Sequence, residues 1–202
     1  MRRLQKLLAS AAVAAALVMA VGRLATADDH DHDDDNDKPR QLKAELKGVR
    51  EVPAVSTTAR GKFRAVLSKD ETQIEYRLYY SGLEGTVTQS HIHVGATGTS
   101  GGISVWLCGT VALPGPTAAP PPVCGSGATS CPSPEADLQA CGTLTSASIV
   151  GPATQGISLV PPANPAHEFA ELVKMIKSGF AYANVHSSMS PGGEIRGQIT
   201  VD

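Results

Sequence analysis

The chain has 202 residues, 42% of them hydrophobic but only 4% aromatic, with 20 glycines, 14 prolines and a formal net charge of −2. Residues 1–27 hold four of the 17 basic residues and none of the 19 acidic ones, so the rest of the chain carries 13 basic against 19 acidic groups. That balance argues against a nucleic-acid partner, which needs a basic surface, while the length suits one domain with a real core.

The N-terminus reads as an export signal. Arg2, Arg3 and Lys6 make a basic start, Leu7 to Val21 is apolar, and Ala25-Thr26-Ala27 has the small-x-small form of a cleavage site. An uncleaved anchor is the alternative, but the apolar run is short for a membrane span. The expectation is a leader over 1–27, a secreted or periplasmic protein, and no transmembrane span after cleavage. Residues 28–41 then form an acidic linker, opening with Asp28-Asp29-His30-Asp31-His32. It contains too little apolar surface to fold, and serves as a solubilising tether or a loose cation trap.

A folded domain is expected over 42–202. Leu42, Ala44 and Leu46 alternate with Lys43, Glu45 and Lys47. Phe63, Ala65 and Leu67 do the same, as do Ile74, Tyr76, Leu78 and Tyr80. Period two with polar partners marks half-buried antiparallel strands, and the polar Ser68–Glu71 turn makes Lys62 to Tyr80 a hairpin. Thr86 to Val94 and Ile103 to Leu107 continue in strand. Residues 112–140 lose periodicity and carry many prolines, so they form a loop insertion. Gly142 to Val150 returns to strand. Phe169, Leu172, Val173 and Ile176 instead follow helical spacing, with Asn164-Pro165 as a start and Gly179 as a stop. Tyr182 to His186 and Glu194 to Val201 are closing strands. The fold class is therefore all-β: an antiparallel, Greek-key-like sandwich or barrel with one short helix and a disulfide-rich loop insertion.

The four cysteines, Cys108, Cys124, Cys131 and Cys141, lie in and around that insertion. In an exported chain they suggest two disulfides, and four cysteines allow three pairings. A nested arrangement, Cys108 with Cys141 and Cys124 with Cys131, is physically attractive. Zinc is the alternative, though the spacings lack the paired short loops of a zinc ribbon.

Several spaced motifs resemble the CHRD domain family, named after the extracellular protein chordin and also found as single secreted bacterial domains. They are Leu46-x-Gly48-x-x-Glu51-Val52-Pro53, Tyr76-x-Leu78-x-Tyr80-x-Gly82-Leu83, His91-Ile92-His93-x-Gly95, Ser178-Gly179-x-x-Tyr182-x-Asn184-x-His186 and Pro191-x-Gly193-Glu194-Ile195-Arg196-Gly197-Gln198-Ile199. The resemblance covers about Leu42 to Val201 and implies an extracellular all-β domain, with no general activity attached to its bacterial members. The insertion departs from the simplest members. A weaker likeness, to copper/zinc superoxide dismutase, places His91, His93 and His186 where copper ligands would stand and Arg196 near an open face. The zinc-binding cluster of that family is missing here.

His91 and His93 share one face of a strand, with Cβ atoms roughly 7 Å apart, and His186 lies on another β-like run. Three imidazoles meet the minimum for an open copper or zinc site. Asn184 shares a face with His186, as Glu194, Arg196 and Gln198 do with one another; if these strands are neighbours, Asn184, Glu194 and Arg196 join the histidines in one patch. The alternative is a structural polar cluster. Nothing else suggests catalysis: no nucleophile elbow, phosphate loop or His-Glu-x-x-His occurs. Two readings follow. One is a secreted, non-enzymatic binding module for an extracellular or periplasmic protein or surface component. The other is a copper- or zinc-binding domain, with redox activity as an option.

Overall fold

Alternation builds the first three strands. A computed structural model describes residues 39–109, 140–159 and 164–202, and in it β1 (Arg40–Lys47), β2 (Arg60–Leu67) and β3 (Ile74–Ser81) form an antiparallel meander. Leu42, Ala44, Leu46, Phe63, Ala65, Leu67, Ile74, Leu78 and Tyr80 all face the core, and the charged residues between them face out. The β2–β3 turn is tied by the Ser68 hydroxyl, which accepts from the Thr72 and Gln73 amides while donating to Asp70 at 2.6 Å. Polar side chains near their own backbone stabilise such turns, as the polar run implied.

The second half consists of β4 (Val87–Val94), β5 (Gly102–Gly109), β7 (Ala181–Ser187) and β8 (Ile195–Gln198). With β6 (Ala140–Leu144), the strands run in the order β5-β4-β7-β8-β1-β2-β3-β6, and β9 (Thr200–Val201) pairs with β1. Every pairing is antiparallel. The two outer strands lean together: Val105 bridges Ile149, and the Tyr76 hydroxyl donates to the Leu107 carbonyl at 2.6 Å. Between a sandwich and a barrel, the chain thus forms an antiparallel, nearly closed barrel with one helix.

The helix α1 (Pro165–Lys177) follows its sequence signals closely. The Asn164 side chain accepts from the His167 amide, Pro165 opens the first turn, and Gly179 follows the last turn with φ at 76°. These are a side-chain cap, a donor-free first residue and a left-handed stop. Phe169, Leu172, Val173 and Ile176 are buried, and α1 packs near the turn at 146–148 and strands β4, β7 and β9.

Three expectations need adjustment. The strand foreseen over Gly142–Val150 begins at Ala140 and stops at Leu144, because Thr145 and Ser148 exchange side-chain hydrogen bonds that wind 146–148 into a 3-10 turn. Short hydroxyl side chains compete with the sheet ladder in this way. The last strand is split at Ile199 into β8 and β9, although the Ile199 amide continues the β7–β8 register by bonding the Ala181 carbonyl at 2.9 Å. The nested cysteine pairing also gains no support. Cys108 on β5 and Cys141 on β6 are not free thiols, yet no disulfide between described residues is seen. Cys124, Cys131 and nearly all of the insertion fall outside the described residues, as do the leader and most of the acidic linker.

Candidate metal centre

The site is assembled across four strands on the face opposite the core. Ile92, Val94, Ala183 and Val185 point inward, so period two turns His91, His93, Tyr182, Asn184 and His186 the other way. Register then sets the neighbours: His91 stands opposite Asn184 on β7 and Trp106 on β5, His93 opposite Tyr182, and Asn184 opposite Arg196 on β8. Two register shifts along β4 and β5, between Ser90 and His91 and between Ile92 and His93, re-aim this stretch. Bulges commonly do so beside functional sites.

The three histidines converge. Each offers one ring nitrogen, and these atoms all lie within 4.8 Å of one another. Ring centroids are 5.0 Å apart for His91 and His186, 5.3 Å for His91 and His93, and 6.4 Å for His93 and His186. All three are buried, His91 completely. The Trp106 and His91 ring centres lie 4.3 Å apart with their planes nearly perpendicular, and Tyr182 stacks parallel to His93 at 4.8 Å.

Hydrogen bonding fixes two of the rings in a ligand-ready tautomer. His93 Nδ1 lies 2.9 Å from the Gly101 carbonyl and His186 Nδ1 2.9 Å from the Pro191 carbonyl. A carbonyl only accepts, so both Nδ1 atoms carry the proton and both Nε2 atoms turn a lone pair inward. The His186 Nε2 accepts from the Asn184 carboxamide at 2.8 Å. The other inward atoms are orphans: His93 Nε2, both nitrogens of His91 and Asn184 Oδ1 are buried without a hydrogen-bond partner.

Burial also keeps the cluster neutral. It drives the His91 pKa down to about 2 and that of His93 down to about 4, with the neighbouring histidines reinforcing the shift. His186 is lowered by burial too, against the opposing pull of its Pro191 hydrogen bond. The neutral imidazole that burial favours is the form that binds a metal.

Arg196 stands one layer away. Its guanidinium lies 3.4 Å above the centre of the Tyr182 ring and donates to the Thr99 carbonyl at 2.6 Å and to that of Ala96 at 3.3 Å. Tyr182 therefore separates the cation from His93. Glu194 does not join the patch. Its carboxylate accepts from the Thr57 hydroxyl and the Glu84 amide, both at 2.9 Å, and from the Ser187 hydroxyl at 2.5 Å. Alternation fails there because the chain leaves the turn at Gly193 with φ at 120°. His167, outside the cluster, sits at the helix start against Glu168 at 3.3 Å.

Sequence reasoning missed the setting of three residues. Tyr182 was legible in principle, since it precedes Asn184 and His186 by two and four positions on one strand face. Trp106 was not, because the bulges decide which β5 residue meets His91. Glu51 is buried beside Gly193 with one carboxylate oxygen unpartnered, and burial raises its pKa to about 7 against the pull of Arg196.

No curated protein and no solved structure matches the chain. Its residues 42–199, however, match the family model of the CHRD domain from the first strand to the end of the barrel. That match takes in the histidine strands, both loops that anchor them and the Arg196 segment. The chain therefore belongs to the CHRD domain family.

Proposed function

We propose that this domain is a secreted, non-enzymatic binding module whose His91, His93 and His186 hold a copper or zinc ion. The observation that carries the reading is the set of buried, unpartnered imidazole nitrogens facing one another. A cluster kept for structure alone would satisfy its polar atoms, since each buried orphan costs about 1–3 kcal/mol. Here the outer nitrogens of His93 and His186 are satisfied; inside the cluster His186 has only the Asn184 amide, and His91 and His93 have no partner. Tetrahedral ligation at about 2.0–2.1 Å sets nitrogens about 3.4 Å apart, so atoms now within 4.8 Å of one another need to close by no more than about 1.4 Å.

The basic and apolar leader supports export, where a histidine site would meet external copper or zinc. No catalysis is proposed. The partner in the wider sense, an extracellular or periplasmic protein or surface component, follows from membership of a family with extracellular interaction domains. Metal analysis of untagged protein tests the reading. About one equivalent of copper or zinc is expected after reconstitution and desalting, and none in the double variant His91→Ala/His93→Ala. Wild-type protein that retains no metal under these conditions overturns it.

A further inference from the structure

We infer that Asn184 supplies a fourth ligand, through Oδ1, to the ion held by His91, His93 and His186. The inference rests on the metal reading above but concerns a different atom and a different chemistry. Asn184 stands opposite His91 in the β4–β7 register and two residues before His186 on β7, which places it among the three rings. Its carboxamide is 3% exposed and has two distinguishable ends. The Nδ2 end donates to His186 Nε2 at 2.8 Å, the lone pair a metal would need. The Oδ1 end is buried and accepts nothing.

That oxygen sits on a carboxamide whose other end touches the His186 ring and whose register partner is His91, which holds it among the three imidazoles. A neutral amide oxygen with no donor to serve is costly to bury. A cation among these rings would satisfy Oδ1 and the orphaned imidazole nitrogens together. His186 Nε2 must first be freed; a half-turn about χ2, a broad torsion in asparagine, takes Nδ2 off it and brings Oδ1 into its place. The resulting set, three imidazoles and one amide oxygen, closes a tetrahedron. An oxygen ligand selects Zn²⁺ or Cu²⁺ over Cu⁺, which prefers sulfur.

The Ala substitution separates ligation from mere hydrogen bonding, because the two roles predict different outcomes. If Oδ1 ligates, Asn184→Ala removes a ligand and weakens zinc binding, while Asn184→Asp, with a charged oxygen, tightens it by tenfold or more. If Asn184 acts only by donating Nδ2–H to His186, that bond occupies the lone pair the ion needs, and Asn184→Ala leaves zinc binding unchanged or tightens it. Asn184→Ala should weaken zinc binding by two orders of magnitude and alter the visible spectrum of the cobalt-loaded protein. Zinc affinity is measured by chelator competition in the wild type and both variants, with thermal melting of each metal-free form. Asn184→Leu, close to asparagine in volume and without an oxygen, carries the test should the Ala variant fail to fold. Wild-type protein that binds zinc, with Asn184→Asp weaker or Asn184→Ala unchanged or tighter, overturns the fourth ligand and leaves the three-histidine site standing. Wild-type protein that binds no zinc or cobalt overturns both.

Discussion

Glu51 shows how burial sets the behaviour of a single side chain. It is 7% exposed, lies against the Gly193 backbone and feels the Arg196 charge without forming an ion pair. A carboxyl whose pKa rises from 4.5 to about 7 on folding binds a proton more tightly in the native state. Its ionisation therefore costs stability as pH rises through that window, and the full cost persists above it. Glu51→Gln should stabilise the protein by about 2–3 kcal/mol at pH 8 and lose that advantage near pH 4. Urea unfolding at both pH values checks this; a benefit equal at both would point to packing instead of charge. The surrounding geometry is equally tight. A Cβ on Gly193 would stand 2.7 Å from the Glu51 carboxylate, and φ at 120° disfavours any other residue there.

Among the elements, α1 is where sequence and structure agree most closely, and the reason is local. Its cap, its proline, its stop and its apolar stripe all lie within sixteen residues and need no knowledge of distant partners. Leu172 is fully buried on that stripe. Leu172→Ala should cost about 2–5 kcal/mol in chemical denaturation, while the histidine site, carried on strands, keeps its geometry. The first hairpin was readable for the same local reason. Strand ends were not: Thr145 and Ser148 divert the chain after Leu144 through hydroxyl bonds that period two does not encode. The site follows the same division. The shared face of His91 and His93 was legible, as was that of Asn184 and His186. The arrival of Trp106 and the departure of Glu194 depend on two bulges and one positive φ, which only the folded backbone reveals.

At the scale of the molecule, the order of strands makes the site possible. Strands β4 and β7 are separated by most of the domain in sequence, yet they are neighbours in the sheet and share a seven-pair register. The β4–β5 ladder sets Trp106 beside His91, and near-closure, through the Val105–Ile149 bridge and the Tyr76 hydrogen bond, ties the other edge of β5 to the far end of the sheet. Membership of the family says what the scaffold is. What this chain binds is carried by side chains that the scaffold brings to one face.

The two carbonyls that orient the histidines belong to two separate surface loops, one reaching Gly101 and the other Pro191. An imidazole that ligates a cation donates a stronger hydrogen bond from its other nitrogen. Occupancy inside would then act as a latch on both loops, and the second of them carries Met189, 67% exposed. Hydrogen–deuterium exchange should show slower amide exchange at Gly101, Ser190 and Gly193 when zinc is added. The β2–β3 hairpin and α1 should not change. Equal slowing everywhere would mean that metal stabilises the whole barrel and signals nothing in particular. Selective slowing would make the loop surface a readout of whether the centre is filled, giving any partner docked on Met189 a way to sense it.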